Sequence, residues 1–285
     1  MSLSLRKLGE MIGLAARGFL MGIAEVLPGI SGGTVALLTG VYDRLIGSLA
    51  DLAVWLKNVA AKQRIDLASF IQPWKVLLPL AIGMVVGFGV AVVAVVHLLD
   101  TQPLLVWSAI FGIVIGAVLY AAMSSTVRNL IIFAPIGLAF ALALSFVPGT
   151  ELEARNGVVF VGAILAYGAW ILPGISGSFV LLILGVWTTM VKAFASFQMI
   201  TILVFLTGLL VGWLVFSHPV RLVLQKYRPM LMGVFCGLLA GSLWELWPWN
   251  HADGQSSSLP AALTAILLGF SVVSVLTYAK VRKDS

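Results

Sequence analysis

The chain is poor in the residues that carry most catalytic chemistry: it has one cysteine, Cys236, and three histidines in 285 residues. A single cysteine excludes an intramolecular disulfide, and its apolar surroundings mark Cys236 as a packing residue. His97 and His218 fall at expected helix ends and His251 in a loop, so no imidazole stands where it could serve a serine deep in an apolar segment. No Cys/His spacing suits a metal, and neither a Walker loop nor a dinucleotide fingerprint occurs. The sequence therefore implies no cofactor, no metal and no nucleotide. Charge is also scarce, at 10% of residues. The net charge of +6 does not signal nucleic acid, because the basic residues are scattered among loops rather than interleaved with exposed aromatics.

What abounds is apolar surface. With 61% hydrophobic residues and a mean hydropathy of +1.10, the chain has too few polar residues to hide this surface in a soluble core, which makes it an all-α polytopic membrane protein. Six apolar segments, 76–98, 104–123, 129–147, 199–216, 229–246 and 260–280, are each near the roughly 20 residues that span a bilayer. Two longer apolar regions, 11–46 and 157–190, are each interrupted by the phrase Pro-Gly-Ile-Ser-Gly. The first follows Arg6 and Lys7 as a signal peptide would, but Glu10 and Arg17 interrupt it and no small-residue cleavage site follows, so it is expected to be retained. Trp55, Trp74, Trp107, Trp244, Trp247 and Trp249 cluster near expected helix ends as interfacial anchors.

Of the 17 Lys and Arg, Arg6, Lys7, Lys57, Lys62, Arg64, Lys75, Arg128, Arg221, Lys226, Arg228, Lys280, Arg282 and Lys283 fall in one set of segments. The positive-inside rule makes these cytoplasmic, together with both termini. The opposite set, 99–103, 148–156 and 247–259, carries Asp100, Glu151, Glu153 and Asp253 but only Arg155. Region 11–46 then starts and ends inside, and region 157–190 starts and ends outside: two hairpins entering from opposite faces. The phrases lie 145 positions apart, while Gly83/Gly87 map onto Gly208/Gly212 and Gly112/Gly116 onto Gly237/Gly241 at 125. The cytoplasmic loop 47–75 absorbs the difference, and its Leu49, Leu52, Leu56 and Val59 suggest an amphipathic helix on the membrane surface. The expected architecture is an inverted-topology repeat of 1–150 and 151–285, with two Pro-Gly-broken hairpins, re-entrant or spanning, and about six further transmembrane helices.

After each break a helix restarts with backbone N–H groups that lack intrahelical partners, an arrangement that attracts anions. The candidate substrate site is therefore Pro28, Gly29, Ile30, Ser31, Gly32, Gly33 and Thr34 with Pro173, Gly174, Ile175, Ser176, Gly177 and Ser178. Arg17 and Arg44 are candidates for contact with an anionic head group, or for neutralising pairs with Glu25 or Asp43. Glu25, with Trp170 in the equivalent place of the second repeat, and Asp43 are candidates for proton coupling. Gly29-Ile30-Ser31-Gly32-Gly33 also fits a nucleophile elbow, but the strand-to-helix setting and the base are missing, which disfavours a serine hydrolase.

The paired phrases, with Gly33-Thr34 after the first, Gly40-Val41-Tyr42 and Gly185-Val186-Trp187 downstream, and the overall size resemble the bacterial polyprenyl-phosphate translocase family, of the PopT type. The resemblance covers essentially the whole chain. It implies a transporter, not an enzyme, of the plasma membrane that returns undecaprenyl phosphate, the lipid carrier of cell-wall glycan synthesis, from the outer to the inner leaflet. The second phrase departs from the first, with Ser178 and Phe179 in place of Gly33 and Thr34 and no acidic residue before the proline. A small-anion transporter or channel is the alternative, and it would require a continuous polar pore. The partners implied are membrane lipid and this carrier, and a homo-oligomer is compatible with the sequence.

Overall fold

The computed structural model describes residues 2–27, 30–63, 66–146, 154–251 and 259–284, and it is all-helical among them. In chain order the helices are α1 (Ser2–Val26), α2 (Gly32–Leu38), α3 (Tyr42–Ala60), α4 (Leu67–Thr101), α5 (Pro103–Met123), α6 (Val127–Ser145), α7 (Asn156–Trp170), α8 (Gly177–Ile183), α9 (Val186–Ala195), α10 (Met199–Lys226), α11 (Arg228–Ser242) and α12 (Leu259–Asp284). A single 3-10 turn, Pro248–His251, precedes α12.

Among the described residues, α4, α5, α6 and α10 are long and apolar enough to cross a bilayer, and α8 with α9, bent by 98°, makes a fifth if taken as one broken span. The expected segments 229–246 and 260–280 appear as shorter apolar helices, Arg228–Ser242 and Leu259–Val275. Val85 and Val93 on α4, Ile131 on α6 and Ile200 on α10 are each at least 70% exposed, which only a lipid surround makes tolerable.

Each apolar region breaks as its Pro-Gly content dictates. α1 ends at Val26 and α2 begins at Gly32, and α7 ends at Trp170 and α8 begins at Gly177. Gly174 takes φ +89° in the second break, a conformation closed to most side chains. The helices that follow the breaks have seven residues, about 10 Å at the α-helical rise of ~1.5 Å per residue, far short of a ~30 Å hydrocarbon core.

Packing runs through glycines. Gly83 and Gly87 of α4 lie so close to α1 that a Cβ on either would overlap the carbonyls of Ala15 and Phe19. Gly208 and Gly212 of α10 press in the same way on the Phe160 and Ile164 carbonyls of α7. Gly137 of α6 meets Val234 and Leu238 of α11, and Gly269 of α12 meets Ala109 and Ile113 of α5. Such contacts let dispersion and close backbone approach do in lipid what apolar burial does in water.

The amphipathic helix expected within 47–75 is α3, which starts earlier, at Tyr42. Leu45, Ile46, Leu52 and Ala53 are buried against α4 and α10. Lys57 Nζ donates to the Leu214 carbonyl at 2.9 Å, and Trp213 Nε1 to the Leu49 carbonyl at 2.9 Å. A moment-bearing stripe of leucines cannot by itself distinguish lipid from protein as its cover.

Candidate functional site

The two breaks meet. Thr34 Oγ1, at the start of α2, accepts from the backbone N–H of Gly174 at 3.2 Å, and the Tyr42 hydroxyl donates to the Ile171 carbonyl at 2.6 Å. Glu25, in the last turn of α1, accepts through one oxygen from the Gly32 N–H and from the Trp170 indole N–H, both at 2.8 Å. Ser31 caps α2, its Oγ accepting from the Thr34 N–H at 3.3 Å and lying 3.2 Å from Thr34 Oγ1. Ser31 and Thr34 are buried, so several polar groups of the first phrase are satisfied inside the protein. Pro28 and Gly29 lie outside the described residues.

The second phrase faces open space. A cavity of about 510 Å³, within the usual range for small-molecule sites, is floored by Glu25, Val26, Leu27 and the run Gly174, Ile175, Ser176 and Ser178. Ser176 Oγ and Ser178 Oγ lie 2.7 Å apart, and Ser178 is exposed. The walls are largely apolar: Phe88 and Val92 from α4, Phe179 and Leu182 from α8, Trp187 from α9, and Ala141 and Leu144 from α6. Trp107, Ser145, Ser242, Glu245 and Leu246 complete the lining. These last residues lie near the start of α5 and at or just beyond the ends of α6 and α11, which puts the mouth at that end of the bundle.

The opposite end is held by ion pairs. Arg228 Nη1 donates to both Asp43 oxygens at 2.7 Å, Arg221 pairs with Asp51, and Arg44 pairs with Glu10 at 2.7 Å. Arg228 opens α11 and Ser242 closes it, so about 21 Å of helix separates the ion pairs from the cavity mouth. Of the expected site residues, the structure gathers Ile30 to Thr34 and Pro173 to Ser178 around one centre with Glu25. Arg17, half-buried on α1, and Arg44 and Asp43 are not among the cavity lining. Glu245, Ser145 and Ser242 were not singled out by sequence, and Trp187 was noted only as part of a shared phrase. The signal in the sequence was position, since each lies at or just beyond the end of a helix.

An all-helical multi-pass membrane protein, with broken helices meeting beneath a mostly apolar cavity, belongs structurally to the membrane transporters. Residues 21–262 match the undecaprenyl phosphate translocase-like family, and the chain belongs to that family, whose members are transporters rather than enzymes. Over 239 residues it is 33% identical to a polyprenyl-phosphate transporter of Vibrio cholerae, covering 82% of this chain and 77% of the relative. Over 254 residues it is 27% identical to a polyprenyl-phosphate transporter of Staphylococcus aureus, covering 81% and 84%. No solved structure matches the chain.

Proposed function

We propose that this chain carries undecaprenyl phosphate from the outer to the inner leaflet of a bacterial plasma membrane by alternating access, returning the carrier lipid for cell-wall glycan synthesis. The observation that carries the reading is a hydroxyl-rich floor, Ser176 and Ser178 beside the second break, under apolar walls of Phe88, Val92, Phe179 and Leu182. A phosphate head is costly to move through hydrocarbon unaided, whereas a prenyl tail is at home there. The cavity suits such a divided cargo, with the head group on the floor and the tail along the walls and out into lipid. The same walls weigh against a small-anion channel, which needs a continuous polar lining.

The fold supports an inverted repeat of 1–150 and 151–285. The α4 glycines meet α1 at Ala15 and Phe19, the α10 glycines meet α7 at Phe160 and Ile164, and each α7 position is 145 beyond its α1 counterpart. The partners of Gly137, Val234 and Leu238, likewise stand 125 beyond Ala109 and Ile113, the partners of Gly269. An odd number of crossings in the first repeat puts the two hairpins on opposite faces, and the clustering of Lys and Arg supports reading the termini and the ion-paired end as cytoplasmic and the cavity mouth as outside. Arg17 and Arg44, between the breaks and the cytoplasmic end, are then placed to meet the head group on its way out. Pro28 and Gly29 complete the first break.

Glu25 is the candidate proton carrier, since a carboxylate facing the cavity repels an incoming phosphate until it takes up a proton. Asp43, the second candidate, instead serves an ion pair with Arg228. The deciding experiment follows leaflet exchange of undecaprenyl phosphate in liposomes containing the purified protein, with uptake of inorganic phosphate measured in parallel. Movement of the lipid, reduced in Ser176→Ala/Ser178→Ala, supports the reading. Movement of free phosphate alone would replace it with the anion-transporter alternative.

A further inference from the structure

We infer that the protein carries a second, closed cavity at its ion-paired end, the repeat-related counterpart of the open one, and that the contacts of α3 with α10 and α11 are its gate. The inference rests on the inverted repeat proposed above. With the intervals of 145 for the broken regions and 125 for α4 and α10, residues of the open cavity acquire counterparts in the other half, four of them on its walls. Val92 maps to Ser217, Phe179 to Thr34, Leu182 to Leu37 and Trp187 to Tyr42. In the open cavity Val92, Leu182 and Trp187 are 40%, 42% and 46% exposed, whereas Ser217, Thr34, Leu37 and Tyr42 are each 1% exposed.

The difference lies in one pair of helix contacts. α3 packs along α10, but its counterpart α9 makes no comparable contact with α4, the counterpart of α10. The cavity occupies that gap, with Trp187 of α9 on one side and Phe88 and Val92 of α4 on the other. Exchanging the two arrangements closes α9 on α4 and parts α3 from α10. Tyr42, Ser217 and Thr34 would then line an apolar-walled, hydroxyl-bearing chamber opening at the opposite end. The same lipid phosphate would leave through it.

The gate is charged on one side only. Asp43–Arg228 and Asp51–Arg221 bridge the proposed halves at the closed end. Their counterparts by the same intervals are Thr188 with Pro103 and Ser196 with Val96, which cannot form ion pairs. The two arrangements are thus unequal, and the ion pairs favour the one whose cavity faces away from them.

The test uses the full chain in proteoliposomes, with Cys236 replaced by alanine and a single cysteine introduced at Ser217 or Val92, labelled by a membrane-impermeant maleimide from each side. With the ion pairs intact, Val92→Cys reacts from the mouth side and Ser217→Cys is protected. Asp43→Asn/Asp51→Asn should raise labelling of Ser217→Cys from the other side several-fold and lower that of Val92→Cys together, since each exposed ion pair contributes modestly. The charge exchange Asp43→Arg/Arg228→Asp should restore protection, which simple loss of structure would not allow. Unchanged Ser217→Cys labelling, or a rise without the fall at Val92→Cys, overturns the inference. In a second arm, an Asp51→Cys/Arg221→Cys disulfide should stop lipid transport and its reduction should restore it, and unimpaired transport by the cross-linked protein overturns the inference. The labelling needs no substrate, so it stands or falls separately from the identity of the cargo.

Discussion

The Trp170 indole donates to Glu25 at 2.8 Å, and the two residues are separated by 145 positions, the interval between the two Pro-Gly-Ile-Ser-Gly phrases. Two positions one phrase interval apart thus touch each other where the two breaks meet, one supplying a carboxylate and the other its hydrogen-bond donor. Replacing Glu25 by Gln keeps an acceptor for Gly32 and Trp170 but removes the charge. The variant should fold as the parent does, and its transport should no longer respond to an imposed proton gradient, read by lipid exchange at equal and unequal pH. A gradient response equal to the parent's would remove Glu25 from any coupling role.

Trp170→Phe keeps the ring and deletes the donor. A hydrogen bond to a charged acceptor contributes about 1.5–3 kcal/mol, so a loss of that order in thermal stability is expected in detergent. The Gly32 bond to Glu25 should survive, leaving the variant partly active.

Thr34 and Ser178 separate support from contact. Thr34→Val leaves the Gly174 N–H without its acceptor, at a stability loss of about 1–3 kcal/mol. Ser178 is exposed to the cavity, so Ser178→Ala should leave the melting temperature nearly unchanged and raise the lipid concentration needed for half-maximal transport. Equal effects of the two variants on stability would contradict this division.

Gly87→Leu should be among the most damaging single changes outside the breaks. Its side chain has nowhere to go but the Phe19 backbone of α1, and overpacking by far smaller groups already costs about 1–3 kcal/mol. Poor membrane yield of Gly87→Leu beside normal yield of Gly89→Leu, where nothing lies within 4 Å, is the expected contrast.

The breaks and the glycine contacts were legible in the sequence because each is a local property: Pro and Gly interrupt a helix wherever they stand, and small residues four apart mark one face. What stayed hidden depends on partners distant in sequence. Arg44 pairs with Glu10 and Asp43 with Arg228, so one cation and one carboxylate expected near a head group are engaged with partners far along the chain. The helix read as lying on the membrane is covered by α4 and α10, because hydropathy records that a face is apolar and not what covers it. Trp107, read as an interfacial anchor, also walls the cavity. The two phrases, nearly identical in letters, differ among their described residues: Ser31 and Thr34 are buried, whereas Ser176 and Ser178 line the cavity.

The described lining of the cavity holds hydroxyls and carboxylates but neither lysine nor arginine. On the proposed reading, a phosphate resting there would meet hydroxyl donors but no fixed cation, and so would be held in a shallow well. For a shuttle that must surrender its cargo on every cycle this is an advantage, since a deep well would make unloading the slowest step. Occupancy is then governed by how much lipid is on offer, and the protein works at the pace of its supply.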